Sequence, residues 1–268
     1  MKGLEDRTLK KSIVGLIGIY YAAIVVVFSA VAWMYSFALA FFCFFLIAQT
    51  AFLAIAGLLL VINRKFFYLV KTGKILGSVN LASRITLFRI TMIPPIFFLI
   101  LAIKNYHTGP VLALFTGLAC LSDLFDGYIS RRFNEETFMG KILDSSCDYM
   151  LLGLLAIGYY IYGLLAAWLF WLLISRLLLH SLGMLALFLL RRKLVPQTTI
   201  FGKIAVAVSM VFFVYKPAAL IFPVLNAGMK FIEISAGILI ALSLADKVIY
   251  LARGIWGSSL ESQSGIRT

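Results

Sequence analysis

Long apolar stretches separated by short polar or basic breaks dominate the chain. Eight of them have about the 20 residues that a helix needs to cross a bilayer, and they cover residues 13–33, 37–62, 85–103, 110–129, 139–160, 164–190, 200–222 and 231–251. Turn residues or charges, such as Asn63-Arg64-Lys65, separate most of them. The apolar positions do not alternate with polar ones, so the pattern predicts membrane-spanning helices and not an outer-membrane barrel.

One segment breaks this pattern. Residues 66–83 mix apolar and basic positions too irregularly to span, and we expect an amphipathic element on the membrane surface. The predicted organisation is therefore a two-span N-terminal hairpin (1–65), a juxtamembrane linker (66–83), a six-helix core (84–254) and a disordered tail (255–268). The predicted fold class is an all-α polytopic membrane protein with about eight transmembrane helices.

Composition supports the membrane assignment. Hydrophobic residues make up 63% of the chain and charged residues 13%, with a mean hydropathy of +1.03. No soluble fold of this size has enough interior to bury so much apolar surface, which excludes a soluble enzyme and a disordered chain. The 3 cysteines lie scattered through apolar stretches and there are 2 histidines, so neither a disulfide framework nor a zinc site fits.

The net charge of +13 would suggest a nucleic-acid partner in a soluble protein. Here the basic residues flank the predicted spans and face anionic lipid, so we expect a bilayer and no nucleic acid as partner. The N-terminal segment, the linker and the breaks near 131 and 191 hold most of them, whereas Lys104, Lys216 and Lys230 fall on the other side. Both termini are therefore predicted to face the cytoplasm of an inner membrane.

Four acids concentrate at one end of two neighbouring spans. Asp123 and Asp126 are three residues apart, and Asp144 and Asp148 are four apart, so each pair stacks on one helix face. The two helices run antiparallel through a short turn, which lets the two faces meet. Asp123 follows Pro110 by 13 residues, or about 20 Å of helix, and this depth places the cluster inside the cytoplasmic leaflet.

Four carboxylates this close do not all stay ionised without a cation. Oxygen ligands without histidine or cysteine favour Mg²⁺ or Mn²⁺, and two such ions suit in-line attack at phosphorus. Gly127 and Gly140 leave room for a ligand, and Arg131 suits a diphosphate. Two other interpretations stay open: the acids pair with Arg131, Arg132 and Lys141 around a turn, or they form the cation path of a transporter.

The acidic segment resembles the signature of the CDP-alcohol phosphatidyltransferase family. That signature reads D-x-x-D-G-x-x-A-R, eight residues, G-x-x-x-D-x-x-x-D, and this chain matches it from Asp123 to Asp148 with Ser130 in place of alanine. Upstream, Thr86 to Arg89 resembles the family's N-x-L-T-x-x-R stretch, with Ser83 where asparagine is usual. The resemblance covers about residues 81–251, and it leaves the first two spans without a function.

The resemblance implies a reaction. Family members transfer a phosphatidyl or phospho-alcohol group from a CDP-linked donor to an alcohol, release CMP and use a divalent metal. By motif position, Asp123, Asp126 and Asp144 are the main metal ligands, and Asp148 is the general base and a further metal ligand. The positions expected to border CDP are Thr86, Gly127, Ser130, Arg131 and Gly140.

The acceptor is less closely specified. Arg176 lies within a span, which is costly unless it meets an anion, Asp246 or backbone carbonyls. With Arg191 and Lys203 it would form a basic pocket, which favours glycerol 3-phosphate. Gly202-Lys203 resembles the G-K-x-K-T stretch of glycerophosphate-accepting members, although the second lysine and the threonine are replaced. The sequence also allows serine or inositol phosphate as acceptor, or a CDP-choline or CDP-ethanolamine type of reaction. A homodimer is possible. A cation-coupled transporter and a non-catalytic scaffold are the alternative functions.

Overall fold

Helices account for nearly all of the described structure. The computed structural model describes residues 2–73, 76–133, 136–189, 200–220 and 222–263. Its α-helices are α1 (Lys2–Met34), α2 (Leu39–Ile62), α3 (Leu81–Thr91), α4 (Ile93–Tyr106), α5 (Gly109–Arg132), α6 (Phe138–Ile161), α7 (Ala167–Leu189), α8 (Ile200–Ala219) and α9 (Asn226–Gln263). An isolated bridge joins Leu69 and Thr137, and the described residues contain no β-strand. The prediction of an all-α fold is confirmed.

The protein is an integral membrane protein. Within the described residues, 5 helical segments are long and apolar enough to cross a bilayer: Arg7–Met34, Leu39–Ile62, Leu81–Tyr106, Gly109–Ser130 and Phe138–Ile161. Two shorter apolar helices follow, at Ala167–Leu179 and Ile204–Ala219. These segments lie at the first seven predicted spans, and α9 lies at the eighth. The total of eight spans stays a prediction.

The third predicted span is two helices and not one. Helix α3 ends at Thr91, and α4 begins at Ile93 with Pro94 and Pro95 in its first turn. Proline has no backbone N–H, so the hydrogen-bond ladder of α3 does not continue through this point. The N–H of Met92 turns back to the carbonyl of Arg89 at 3.1 Å.

The N-terminal hairpin packs with the helices that follow it. One compact unit spans Met1–Gly158 and a second spans Tyr159–Thr268, so α1 and α2 share a unit with α3, α4, α5 and most of α6. A single buried cluster in the first unit joins the hairpin, the linker, α3, α4 and α6: Leu9, Ile13, Leu60, Phe67, Val79, Leu87, Ile90, Ile93, Met139 and Cys147. The roles predicted for the four segments of the chain stay predictions.

The linker pairs with the turn between α5 and α6. After a short 3-10 turn at Arg64–Phe66, the N–H of Val70 donates to the carbonyl of Glu136 at 2.9 Å. The N–H of Phe138 donates to the carbonyl of Tyr68 at 3.1 Å, and the two rings stack. These contacts hold the start of α6 against the linker.

The second unit consists of the end of α6 together with α7, α8 and α9. The hydroxyl of Tyr159 donates to the carbonyl of Phe213 at 2.8 Å and ties the end of α6 to α8. Helix α9 continues to Gln263, and the disorder predicted for the tail stays a prediction. No proline interrupts the chain between Asn226 and Gln263, and the helix runs on.

Candidate active site

Three helices of the first unit bring the predicted acids together around an arginine. Helix α5 carries Asp123 and Asp126, α6 carries Asp144 and Asp148, and α3 carries Arg89. Because the helices are regular at these positions, the three- and four-residue spacings turn each acid pair toward one face. The structure therefore joins all four predicted carboxylates in one site.

The carboxylates are not equivalent. Oxygens of Asp123, Asp126 and Asp144 all lie within 4.8 Å of one another, the one such group of potential metal ligands among the described residues. Asp148 is not part of that group, although the sequence predicted it as a metal ligand. One of its oxygens, Oδ1, is buried and accepts no hydrogen bond from the part of the chain that the structure describes. The structure thus separates a group of three acids from a fourth acid beside them.

Arg89 contacts all four acids. Its side chain is 0% exposed; Nη1 contacts Asp123 and Nη2 contacts Asp144. Nη2 also lies 3.4 Å from Asp126, and Nη1 lies 3.4 Å from Asp148. A charged side chain at membrane depth is costly unless it is paired. One guanidinium therefore offsets part of the negative charge of four carboxylates and ties α3 to α5 and α6.

Two other basic residues that the sequence offered as partners have contacts other than the four acids. Lys141 pairs with Glu136 at 3.0 Å, and Arg132 contacts the hydroxyl of Tyr128. The interpretation that these two residues neutralise the acids around a turn is wrong, because α3 supplies the partner instead. The side chain of Arg131 lies outside the described residues.

Thr86 supports the site from one turn before Arg89. Its side chain is buried, and its hydroxyl donates to Oδ2 of Asp126 at 2.9 Å. This bond occupies a lone pair of the most buried acid of the cluster and fixes the orientation of its carboxylate. Thr86 was predicted to border CDP; the structure places it against Asp126 and on the wall of the adjoining cavity.

A cavity of about 220 Å³ opens beside the acids. Its walls are Asn80, Ala82, Ser83, Thr86, Asp126, Gly127, Ser130, Glu136, Thr137, Gly140, Lys141 and Asp144. Four of the five positions predicted to border CDP are among them. The hydroxyl of Ser130 donates to the carbonyl of Gly127 at 3.2 Å, so these two residues form one stretch of wall.

Gly140 is required by space. A Cβ atom at this position would come 2.6 Å from Oγ1 of Thr137 and 3.1 Å from Oγ of Ser83. The Thr137 hydroxyl is itself engaged, because it accepts the N–H of Gly140 at 2.9 Å and so caps the start of α6. Because residue 140 has no side chain, Ser83 and the capping Thr137 can both pack against it at the cavity wall.

The donor set fits a hard divalent cation. Asp123, Asp126 and Asp144 offer only oxygen ligands, and Mg²⁺ and Mn²⁺ prefer such ligands. Four ionised carboxylates around one guanidinium would carry three excess negative charges, which a bound cation would offset. Part of the site is open, since the side chain of Asp144 is 43% exposed. The site combines excess negative charge with an approach for an ion.

The predicted acceptor residues lie in the second unit. Arg176 is buried, and its Nη2 donates to the carbonyl of Gly202 at 2.9 Å. A backbone carbonyl is therefore one partner of this charge, as the sequence allowed. The side chain of Lys203 and all of Arg191 lie outside the described residues.

Sequence analysis did not assign a site role to Arg89. The sequence did contain a signal for such a role, because Arg89 is a charged residue near the start of the third apolar stretch. A charge within a span is costly unless it meets a partner, and this argument holds for Arg89 as it does for Arg176. Arg89 is also the arginine of the stretch that resembles N-x-L-T-x-x-R. The fold then shows that this arginine contacts all four acids.

Comparison with known proteins identifies the family of this chain. Residues 79–253 match the CDP-alcohol phosphatidyltransferase family. The chain is 33% identical over 126 residues to CDP-diacylglycerol–glycerol-3-phosphate 3-phosphatidyltransferase of Aquifex aeolicus, covering 46% of this chain and 67% of that protein. Proteins of the same name from Rickettsia typhi (38% over 78 residues) and Salmonella typhimurium (34% over 76) are covered for 43% and 41% of their lengths.

The family match covers more than half of the chain and contains α3, the cavity and all four acids. The hairpin α1–α2 lies outside it. The prediction of a membrane-bound transferase of phospholipid biosynthesis is confirmed at the level of the family. The chain belongs to the CDP-alcohol phosphatidyltransferase family.

Proposed function

We propose that the protein transfers the phosphatidyl group of CDP-diacylglycerol to glycerol 3-phosphate and releases CMP. The observation that carries this proposal is the set of four carboxylates around Arg89, open to a cavity lined by the glycines of the family motif. The relatives named above suggest the donor and the acceptor, since both are part of the name of those proteins.

Asp123, Asp126 and Asp144 would hold Mg²⁺ or Mn²⁺, and a second ion would be shared with the diphosphate of the donor, which adds negative charge of its own. When bound, the metal neutralises the diphosphate and stabilises the leaving CMP. Arg89 keeps the ligand-bearing helices α5 and α6 against α3. Thr86 fixes the carboxylate of Asp126 through its hydroxyl. The three acids thus enter the reaction already oriented.

Asp148 is the proposed general base. It is the acid outside the group of three, and its buried Oδ1 lies 3.4 Å from Nη1 of Arg89 without accepting a hydrogen bond from the described residues. The acceptor's hydroxyl oxygen attacks the phosphorus of the phosphatidyl group, the bond from phosphorus to the CMP oxygen breaks, and the hydroxyl proton passes to Asp148. The phosphatidylated acceptor and CMP are the products.

The cavity beside the acids is the proposed site of the CDP moiety. Gly127 and Gly140 leave room at its wall, and Ser130 and Thr86 present hydroxyl groups to it. Arg176, Lys203 and Arg191 are the proposed contacts of the acceptor phosphate, because a dianionic headgroup needs basic partners. The active site is proposed to face the cytoplasm, on the side where most basic residues gather.

An acceptor panel tests the proposal. Purified protein in lipid nanodiscs receives labelled CDP-diacylglycerol with Mg²⁺ and one acceptor: glycerol 3-phosphate, serine, inositol phosphate or none. We expect glycerol 3-phosphate alone to give a labelled phospholipid and stoichiometric CMP. Product with serine or inositol phosphate instead would replace the proposed acceptor. A parallel reaction offers CDP-choline as donor and diacylglycerol as acceptor, and CMP release there would replace the proposed donor. No CMP release under any condition would favour the transporter interpretation.

A further inference from the structure

Helix α2 carries a buried polar side chain at mid-span that the reaction does not use. Gln49 is 0% exposed and sits near the middle of Leu39–Ile62, a helix of high hydropathy. Its Nε2 donates to the backbone carbonyl of Thr91, the last residue of α3, at 3.3 Å. This bond joins the hairpin, which lies outside the family match, to the helix that carries Thr86 and Arg89.

The carbonyl of Thr91 needs an outside donor because of Pro95. In a continuous helix, the N–H four residues later would satisfy this carbonyl. Position 95 is proline and has no N–H to give. A carbonyl left without a partner inside a membrane protein is costly, and a neighbouring side chain commonly supplies the missing donor at such a break. Gln49 supplies that donor.

Packing alone does not account for an amide at this position. The other side-chain atom of the amide, Oε1, is buried and has no hydrogen-bond partner among the described residues. Leucine has a similar volume and would avoid that cost. The useful part of the side chain is therefore the N–H group that reaches Thr91.

Two further contacts tie the hairpin to α3. The hydroxyl of Tyr20 on α1 donates to the carbonyl of Arg84 at 3.2 Å, and its ring packs edge-on against Phe88 at 5.7 Å. Arg84 and Phe88 flank Thr86 and precede Arg89. Tyr20 thus contacts α3 on both sides of Thr86, and Gln49 contacts it after Arg89.

We propose that Gln49 is a positioning residue: it fixes the break between α3 and α4 and so sets where Arg89 and Thr86 meet the acids. The expected effect on kcat rests on the proposed function, whereas the expected effect on the position of Arg89 and Thr86 rests on the geometry alone. It gives the first two helices a role, which is to hold the catalytic helix from outside the family core. Displacements of about 1 Å at a distance from the reacting atoms cost as much as a hundredfold in rate.

The test replaces Gln49 with leucine and, as a second apolar variant, with methionine. The matched control is Thr50→Val, which removes a hydrogen-bonding group one residue along α2. Thr50 bonds Tyr21 and the carbonyl of Leu46, and neither lies on α3. Each protein is measured in nanodiscs for kcat, for KM of CDP-diacylglycerol and for Mn²⁺ affinity by electron paramagnetic resonance.

We expect Gln49→Leu and Gln49→Met to lower kcat roughly tenfold to a hundredfold and to weaken Mn²⁺ binding, with the donor KM changed much less. Thr50→Val should stay within about twofold of the parent protein in both, in keeping with a surface substitution. Adding Pro95→Ala to Gln49→Leu restores an N–H at the break, so the double variant should recover most of the lost rate and Mn²⁺ affinity.

Three results would overturn the inference: unchanged kcat and Mn²⁺ affinity in both apolar variants, an equal loss in Thr50→Val, or no recovery on adding Pro95→Ala. Mn²⁺ affinity separates this inference from the proposed function. If the parent protein releases no CMP but Gln49→Leu weakens Mn²⁺ binding and Pro95→Ala restores it, the proposed reaction fails and the positioning role stands.

Discussion

Arg89 offers a quantitative test of how the site is held together. Replacing it with glutamine removes the cation that contacts all four acids and leaves their charges at membrane depth. Breaking a buried ion pair from one side costs about 3–5 kcal/mol, because the remaining charge is uncompensated. A domain of roughly this size loses about 2–4 °C of melting temperature per kcal/mol. Without divalent metal, we therefore expect Arg89→Gln to melt about 6–20 °C lower than the parent protein.

The assay is thermal unfolding of purified protein in detergent, with EDTA and then with saturating Mg²⁺. Mg²⁺ should narrow the difference, because a bound cation replaces part of the missing positive charge. Arg132→Gln is the matched control: it makes the same change on α5 at an exposed arginine whose contact is the Tyr128 ring and hydroxyl. Equal shifts for the two variants in EDTA, or a difference that Mg²⁺ leaves unchanged, would refute the role assigned to Arg89.

Three further predictions concern the base, the cavity and the orientation. Asp148→Asn should lower kcat by roughly 10²–10⁴ with donor affinity and Mn²⁺ binding near normal; a matching collapse of Mn²⁺ affinity would make Asp148 a metal ligand first. Gly140→Ala should reduce activity, because the added Cβ forces Thr137 from its capping position. The control is Gly153→Ala on the same helix, where a Cβ meets nothing within 4 Å; a similar loss of activity in both variants would contradict the crowding at Gly140. Cysteines at Phe133 and Asn105 should be labelled from the cytoplasmic and the opposite side respectively; the reverse pattern would invert the topology.

The carboxylate cluster could be predicted from sequence because its geometry is local. The spacings from Asp123 to Asp126 and from Asp144 to Asp148 place each pair on one helix face, and a short turn brings the faces together. Likewise, the long apolar stretches predict the helices, since a membrane leaves the backbone few alternatives.

The partners of the cluster could not be predicted in the same way. Lys141 and Arg132 are near the acids in sequence, yet Arg89 reaches them from a helix more than thirty residues away. An apolar stretch predicts that a helix is buried in lipid or protein, but it does not predict which other helix it packs against. The contact between Gln49 and Thr91 could not be predicted for the same reason. Pro95 indicates that the carbonyl of Thr91 lacks a backbone donor, but the sequence does not indicate which residue replaces that donor.

The measurement that tests the central claim most directly is CMP release from CDP-diacylglycerol in the presence of glycerol 3-phosphate, with and without Mg²⁺, by the parent protein and by Asp126→Asn. This acid is buried, belongs to the group of three and is fixed by Thr86. We expect Mg²⁺-dependent CMP release by the parent protein and none above background by a folded Asp126→Asn variant. Release that persists in EDTA, or that survives the substitution at saturating Mg²⁺, would contradict the assignment of these carboxylates as the metal-dependent centre of phosphatidyl transfer.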